Sequence, residues 1–171
     1  MFASFFKEKI KFFYKELIVL FFKTIYTKPS LSSKRIQSLK INKVKINHLS
    51  YNIYELRCGR VFTNKNDITA YISKENLISE GSLQFKKFDS INSSNQKIKK
   101  NSTLINGTPN FKRKITGNVL SLLSGGAARD NFTHWFTDVI PRVIIFSKMF
   151  NIKNINKFYV PSYKNSFQIE S

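Results

Sequence analysis

The feature that most constrains the fold is a short apolar run that ends in two glycines and leads into a helical pattern. The run carries four apolar side chains, at Val119, Leu120, Leu122 and Leu123. A nearly continuous apolar run of this kind is typical of a strand buried on both faces of a parallel sheet. Gly125 and Gly126 end the strand, and Asp130 or Asn131 provides a helix N-cap. The pattern therefore predicts a strand, a glycine turn and a helix.

The residues after the N-cap continue this unit. Apolar side chains recur at helical spacing and predict a core-facing stripe formed by Phe132, Phe136, Val139, Val143, Phe146 and Phe150. Residues 157–160 form a second predicted strand, which Pro161 ends. One strand–helix–strand unit with parallel strands follows, so the predicted fold class is α/β. Asn165 or Ser166 caps a further helix, but the sequence stops at Ser171 after about one turn, so we expect a truncated chain.

The part of the chain before this unit predicts short antiparallel strands. Short runs separated by asparagine-rich turns occur at residues 54–57, 59–62 and 68–72. Residues 90–102 are rich in Ser, Asn and Lys and predict an irregular loop. Residues 27–50 contain Pro29, several serines and repeated lysines without sustained periodicity, which is typical of a linker. We therefore expect a linker at 27–50 and one incomplete domain at 51–171.

Residues 1–26 predict a basic amphipathic helix. Apolar side chains recur every three or four residues, at Phe2, Phe6, Ile10, Phe13, Leu17 and Leu20. Lys7, Lys11 and Lys15 fall on another face, and the longest uncharged apolar run, residues 17–22, is far shorter than the roughly 20 residues that span a bilayer. Such a helix either lies on an anionic leaflet or packs against its own or another domain. We expect a cytoplasmic protein, peripheral on the inner face of the cell membrane in the first case.

The formal charge of +19 at pH 7 raises the question of nucleic-acid binding. Only six of the 29 basic residues are arginine, and they are scattered along the chain, whereas arginine most often reads guanine. Sequence-specific nucleic-acid binding is therefore not expected. Cys58 is the only cysteine, and neither His48 nor His134 has metal-ligand spacing around it. We expect neither an intramolecular disulfide nor a bound metal.

Three polar side chains follow one another at four-residue intervals in the predicted helix. His134, Asp138 and Arg142 would form a line along one face. Pro141 either kinks this helix or marks a new one that starts near Thr137 or Asp138. His134 or Asp138 could accept the proton of an attacking sugar hydroxyl, because such a hydroxyl becomes a useful nucleophile as its proton leaves. The alternative is an Asp138–Arg142 ion pair and a histidine that caps or packs.

Two further features suit a sugar-nucleotide site but carry little weight alone. The Gly125-Gly126 turn before a helix could bind phosphate through free backbone amides. Neither GxGxxG nor a GxxxxGKS or GxxxxGKT motif occurs, however, so a tight turn is the simpler explanation. Trp135 and Tyr159 could stack on sugar rings, although most aromatic residues at such spacing belong to the core. Of the two we favour Trp135, because it adjoins His134.

Residues 131–142 combine these features in one pattern: Asn, two residues, His-Trp, two residues, Asp, two residues and Pro-Arg. This pattern, preceded by a glycine-containing loop, resembles that of glycosyltransferase family 61, whose members include capsular-polysaccharide proteins. A weaker likeness extends over residues 55–171. The resemblance implies two Rossmann-like halves in the GT-B arrangement, of which this chain is the N-terminal, acceptor-side half. It also implies inverting transfer from a nucleotide sugar to a glycan acceptor, with no further cofactor.

The resemblance also assigns roles to individual residues. Asp138 and His134 are expected to be catalytic, with Asp138 as the first choice for the acceptor-side base. Asn131 and Arg142 match the flanking positions and, together with Trp135, are expected to bind substrate. The donor-binding half would come from a separate chain or from sequence beyond this one. The alternative is a non-catalytic basic module that binds a membrane surface or a polysaccharide.

Overall fold

The computed structural model describes residues 2–31, 36–64, 68–84, 101–124 and 130–171. These residues form a mixed α/β structure with a long N-terminal helix, an antiparallel sheet, a hairpin and a parallel strand pair. The helices are α1 (Phe2–Ile25), α2 (Thr103–Asn106), α3 (Phe132–His134), α4 (Ile140–Ser147) and α5 (Ser166–Ile169). The strands are β1 (Ser30–Leu31), β2 (Leu39–Ile46), β3 (Leu49–Leu56), β4 (Arg60–Thr63), β5 (Ile68–Ser73), β6 (Asn76–Leu77), β7 (Leu83–Gln84), β8 (Val119–Ser121) and β9 (Lys157–Tyr159). A π-helical turn (Trp135–Val139) joins α3 to α4, and a 3₁₀ turn (Ile152–Asn154) precedes β9.

The antiparallel sheet is built around β5, a strand of mostly buried residues. β4 pairs with β5 from Arg60 opposite Ile72 to Thr63 opposite Thr69, which confirms antiparallel strands in this part of the chain. β6 and β7 also pair with β5, and β1 adds to β6 in parallel. The apolar core of the sheet includes Phe62, Ile68, Ala70, Ile72 and Leu77.

Residues 39–56 form a regular hairpin, which corrects the prediction of an irregular linker up to residue 50. β2 and β3 pair residue by residue, from Leu39 opposite Leu56 to Ile46 opposite Leu49. The turn is tight because Asn47 has a φ of 52°, a left-handed conformation that asparagine tolerates. Most residues of the hairpin are exposed or half-buried, so its strands need no alternation of apolar and polar residues. The three lysines of β2 interrupt that alternation, and the strand was therefore not predicted.

The predicted N-terminal helix is present as α1, but it packs through a different face from the predicted apolar stripe. The buried residues near its C-terminal end are Val19 and Phe22. The Phe22 ring meets Phe111 edge-on, with 5.0 Å between ring centroids, and stacks on Tyr26. The Lys112 ammonium lies 4.0 Å from the centroid of the Tyr26 ring, a cation–π contact. The segment that carries Phe111 and Lys112 therefore holds this end of α1.

The parallel strand pair confirms the predicted strand–helix–strand unit. β8 and β9 run parallel, with Val119 opposite Lys157 and Ser121 opposite Tyr159. The helical segments α3 and α4 lie between these strands in the chain. The buried residues of this unit include Leu122, Trp135 and Val139, and the partly buried residues packed on them are Leu120, Ile140, Val143, Val160 and Phe167.

The apolar stripe of this helix is shifted from its predicted position. Phe132 and Phe136 were expected to face the core, yet they are 58% and 43% exposed, whereas Trp135 is only 4% exposed. The π-helical turn explains the shift, because it departs from the α-helical period on which the prediction was based. Phe132 packs instead on Phe136 and Phe167, with ring centroids 4.7 and 5.4 Å away.

Two predicted features fall wholly or partly outside the described residues. The predicted Gly125-Gly126 turn lies outside them, and the loop predicted at 90–102 is described only from Asn101 onward. The predicted cap near the end of the chain is described. α5 begins at Ser166, and the Gln168 side-chain oxygen accepts a hydrogen bond from the Asn165 N–H at 3.1 Å.

Candidate functional site

The candidate site begins at Asn131, which caps α3. Its backbone is extended, with φ −123° and ψ 113°, and its side-chain oxygen accepts a hydrogen bond from the His134 N–H at 3.2 Å. A capping asparagine satisfies a backbone donor that the first helical turn would otherwise leave unpaired. The cap therefore determines the position from which the His134 side chain extends.

His134 and Asp138 form a hydrogen-bonded pair on the surface of this helix. The His134 Nδ1 and Asp138 Oδ2 atoms are 2.8 Å apart, and the two side chains are 46% and 37% exposed. The Thr137 hydroxyl lies 3.4 Å from the other carboxylate oxygen and donates to the Thr133 carbonyl at 2.9 Å. An ionised carboxylate only accepts hydrogen bonds, so a neutral imidazole in this arrangement carries its proton on Nδ1. The lone pair then lies on the His134 Nε2.

The π-helical turn sets the geometry between this pair and the residues that follow. The Ile140 N–H donates to the Trp135 carbonyl five residues earlier, which is the hydrogen-bond pattern of a π-helix. Pro141 has no N–H to donate and would crowd the Thr137 carbonyl in a regular α-helix. The wider turn relieves this conflict, and α4 then begins with Pro141 in its first turn, where proline is tolerated. No new helix starts near Thr137 or Asp138, because the helical backbone continues from residue 132 to residue 147, and the structure accommodates Pro141 by the π-helical turn instead.

Arg142 does not continue the polar line that its spacing predicted. Its Nη1 donates to the Leu123 carbonyl at 2.6 Å, whereas Asp138 pairs with His134. The alternative Asp138–Arg142 ion pair is therefore not the arrangement in the structure. The change from π-helical to α-helical geometry between the two residues alters their relative direction. Arg142 instead ties α4 to the carboxyl end of β8, the edge at which open parallel sheets bind ligands.

Two hydroxyl groups from different sheets meet beside Arg142. The Tyr71 hydroxyl of β5 and the Ser121 hydroxyl of β8 are 2.6 Å apart. Burial raises the pKa of Tyr71, while the hydrogen bond with Ser121 and the positive charge of Arg142 offset part of that rise. Neither Tyr71 nor Ser121 was predicted as part of the site, because no local pattern connects residues fifty positions apart.

Trp135, which was predicted to stack on a sugar ring, is a core residue. Its ring is buried against Leu122 and Val139, and its Nε1–H donates to the Ser171 hydroxyl at 2.8 Å. A stacking platform needs an exposed ring face. We therefore remove Trp135 from the residues expected to bind substrate.

The chemistry that this arrangement offers is proton transfer. An imidazole that a carboxylate orients from behind is a recurrent device for taking the proton of a hydroxyl group. No group of three or more His, Cys, Asp or Glu side chains within the described ranges could hold a metal ion. Cys58 is an exposed free thiol on the loop between β3 and β4.

Comparisons with known proteins identified no similar protein. No family model matches the chain, no curated protein matches it, and no solved structure matches it. The function is therefore inferred from the residues and geometry of the chain itself.

Proposed function

We propose that this chain is the acceptor-side half of an inverting glycosyltransferase that uses a nucleotide-sugar donor in polysaccharide or glycan synthesis. Its proposed fold is the N-terminal Rossmann-like half of a GT-B enzyme. The observation that supports this function is the 2.8 Å hydrogen bond between His134 and Asp138. The pair lies in the helical segment after a parallel strand, within the pattern at residues 131–142 that resembles glycosyltransferase family 61.

In the proposed reaction His134 is the base and Asp138 positions it. The His134 Nε2 accepts the proton of the acceptor hydroxyl while the hydroxyl oxygen bonds to C1 of the donor sugar. The bond from C1 to the phosphate oxygen breaks on the opposite side, and the nucleotide phosphate leaves with the electron pair. This single displacement inverts the configuration at C1. Asp138 holds the Nδ1–H and stabilises the imidazolium that forms.

This assignment reverses the first choice made from the sequence, in which Asp138 was the base. The reason is the use of the carboxylate oxygens. One of them already accepts the His134 Nδ1–H, and the other lies 3.4 Å from the Thr137 hydroxyl. The His134 Nε2 is the basic atom that these contacts leave open, on a side chain that is about half exposed.

We further propose that Asn131 and Arg142, which flank the pair in the sequence, bind substrate. The Asn131 oxygen is used by the helix cap, so its amide N–H groups are the donors for an acceptor hydroxyl. Arg142 uses one N–H on the Leu123 carbonyl, and its other N–H groups suit a phosphate oxygen of the donor. A second half, in a separate chain or in further sequence, would bind the nucleotide.

The sharpest test uses the two histidines of the chain, His48 and His134. With nitrogen-15 in the histidine rings, long-range proton–nitrogen spectra report which nitrogen carries the proton. We expect neutral His134 to be protonated on Nδ1. Addition of glycan acceptors should shift the Nε2 resonance of His134. His48, in the turn of the β2–β3 hairpin, is the internal control and should not shift.

Two results would contradict the proposal. A proton on the Nε2 of neutral His134 would remove the lone pair that the mechanism needs. A panel of mono- and oligosaccharides that shifts neither histidine would exclude an acceptor site at this pair. Nucleotide release from a panel of nucleotide sugars, measured with the donor-binding half present and with an acceptor that binds, then separates an enzyme from a module without turnover. Only an enzyme loses that release in the His134→Gln variant.

A further inference from the structure

The N-terminal helix α1 has two apolar faces, and the described chain covers one of them. Val19 and Phe22 on the inner face are 5% and 7% exposed. Phe111 packs on Phe22, and the backbone N–H of Lys112 lies 3.4 Å from the Tyr26 hydroxyl. Packing with the rest of the described chain is therefore made by residues near the C-terminal end of α1.

The other face carries an exposed apolar row, which we term the outer stripe. Its members are Phe6, Ile10, Phe13, Leu17 and Leu20, at 67%, 56%, 65%, 48% and 60% exposure. Residues nine positions apart lie on opposite sides of an α-helix, because nine residues make about two and a half turns. Ile10 is nine residues before the buried Val19, and Phe13 is nine before the buried Phe22. The outer stripe thus faces away from the packed side.

The charges of α1 select among the surfaces that could cover the outer stripe. The helix carries more basic than acidic residues, with Lys7, Lys9, Lys11, Lys15 and Lys23 against Glu8 and Glu16. The whole chain has a formal charge of +19. A second copy would bring the same charge to the stripe, and mutual repulsion opposes that pairing. An anionic surface that also accepts apolar side chains is the complement, and a bilayer with acidic headgroups has both properties.

We propose that α1 docks the protein on an anionic phospholipid bilayer. The helix lies in the plane of the headgroups, with the outer stripe inserted toward the acyl chains and the lysines that flank the stripe, Lys7 and Lys9, near lipid phosphates. An in-plane orientation agrees with the composition of α1, since no helix in the described part of the chain is long and apolar enough to cross a membrane. The docking surface shares no residue with the His134–Asp138 pair, so the test of membrane docking is independent of the proposed reaction.

Vesicle sedimentation with the full chain tests this docking. We expect the protein to sediment with vesicles of phosphatidylcholine and phosphatidylglycerol, and to bind pure phosphatidylcholine vesicles much more weakly. The triple variant Phe6→Ser, Phe13→Ser and Leu17→Ser should lose at least about tenfold in partitioning, because three inserted apolar side chains are removed. Ile144→Ser is the matched control, since Ile144 is an exposed apolar residue on another helix. Its partitioning should equal that of the wild-type chain.

The charge component has its own variant. Lys7→Gln with Lys9→Gln, at two positions that flank the outer stripe, should weaken binding to the anionic vesicles roughly 25-fold at low salt, and added salt should reduce the difference. Equal partitioning of the triple variant and the wild-type chain would overturn the proposal. Failure of the wild-type chain to sediment with anionic vesicles would also overturn it. Far-ultraviolet circular dichroism shows whether each variant keeps the helical content of the wild-type chain, to which α1 contributes the longest helix of the described residues.

A fluorescence measurement locates the helix in the bilayer. Phe13→Trp places an indole on the outer stripe, and brominated lipids should quench it, whereas the indole of Ile144→Trp should not be quenched. The buried Trp135 is a common background in both proteins. Analytical ultracentrifugation identifies the competing occupant. If the wild-type chain is a dimer that does not bind vesicles and the triple variant is a monomer, a second copy covers the outer stripe.

Discussion

The hydroxyl groups of Tyr71 and Ser121 lie 2.6 Å apart, and their hydrogen bond joins the antiparallel sheet to the parallel strand pair. Tyr71 lies on β5, the central strand of its sheet, and Ser121 ends β8. Two residues after Ser121, the Leu123 carbonyl accepts the hydrogen bond from Arg142. The strand end that holds the candidate site is therefore tied to both the sheet and α4.

Replacement of Tyr71 by phenylalanine should destabilise the protein. The variant removes the bond to Ser121 and leaves that hydroxyl without its partner, so the free energy of unfolding should fall by about 1–3 kcal/mol. Urea denaturation measures the change. Tyr163→Phe is the matched control, because Tyr163 is exposed and should change little. Equal stability of the two variants would show that the Tyr71–Ser121 contact contributes nothing.

Tyr71 also predicts a dependence of stability on pH. Burial raises its pKa in the folded protein above the ordinary value of 10.0, so the folded state retains the phenol proton to higher pH than the unfolded chain does. This contribution is complete below about pH 10 and is lost as the pH rises through the raised folded pKa. The stability difference between wild type and Tyr71→Phe should therefore be constant from about pH 8 to about pH 10 and smaller at about pH 11. Urea denaturation across this range would show a constant difference if Tyr71 does not titrate differently on folding.

The contribution of the Asn131 cap to stability can be measured separately from any role of Asn131 in substrate binding. Asn131→Ala removes the acceptor of the His134 N–H and should lower the free energy of unfolding by about 0.5–2 kcal/mol. Asn131→Asp keeps an oxygen in the same place and should stay within a few tenths of a kcal/mol of the wild-type protein. Thermal unfolding of both variants measures the difference. Equal losses in the two variants would contradict the capping role.

Gly117 should tolerate alanine less well than Gly107 does. Gly117 has a φ of 90°, and an added Cβ would lie 2.5 Å from the Asn156 Oδ1, which accepts the Asn118 N–H. Gly107 has a φ of 68°, but its added Cβ would meet Lys23 only at 3.7 Å. Gly107→Ala should cost about 1–3 kcal/mol, because a φ of 68° with a ψ of −149° is a conformation that essentially only glycine adopts. Gly117→Ala should cost about 1 kcal/mol more for the displaced hydrogen bond. Urea denaturation of both variants tests this order.

The proposed transfer activity, measured with the donor-binding half present, should depend strongly on the His134–Asp138 pair, although stability should not. His134→Gln and Asp138→Asn should each lower the transfer rate by about 10²- to 10⁴-fold. Their unfolding free energies should change by less than about 1 kcal/mol, because the pair is partly exposed to solvent. Imidazole should restore part of the activity of His134→Ala and none of that of Asp138→Ala. Rescue of neither variant, with the larger loss at Asp138, would return the role of base to Asp138.

Short-range signals were sufficient to predict several parts of the site. The Asn131 cap and the effect of Pro141 act through hydrogen bonds and covalent geometry within about one helical turn. The contact of His134 with Asp138 likewise follows from a four-residue spacing. Each of these features depends on neighbours in the sequence, and the sequence therefore contains what is needed to predict it.

Contacts between distant segments were not predictable in this way. The β2–β3 hairpin forms although lysines interrupt its apolar pattern, because cross-strand backbone hydrogen bonds hold it together. Tyr71 and Ser121 belong to different sheets, and only the tertiary fold brings their hydroxyl groups into contact. Trp135 is buried and Phe132 is exposed because a π-helical turn changes which residues face the strands.

The N-terminal helix separates most clearly the features that the local sequence determines from those that the tertiary structure decides. Its sequence alone determined that residues 2–25 form a helix with an apolar stripe and lysines on other faces, since helical spacing is a local property. Only the tertiary structure decided that Val19 and Phe22 are buried while the outer stripe is exposed. The physical reason is that burial requires a second surface. Here Phe111 belongs to that surface, and nothing in the helical period of α1 specifies where Phe111 will lie.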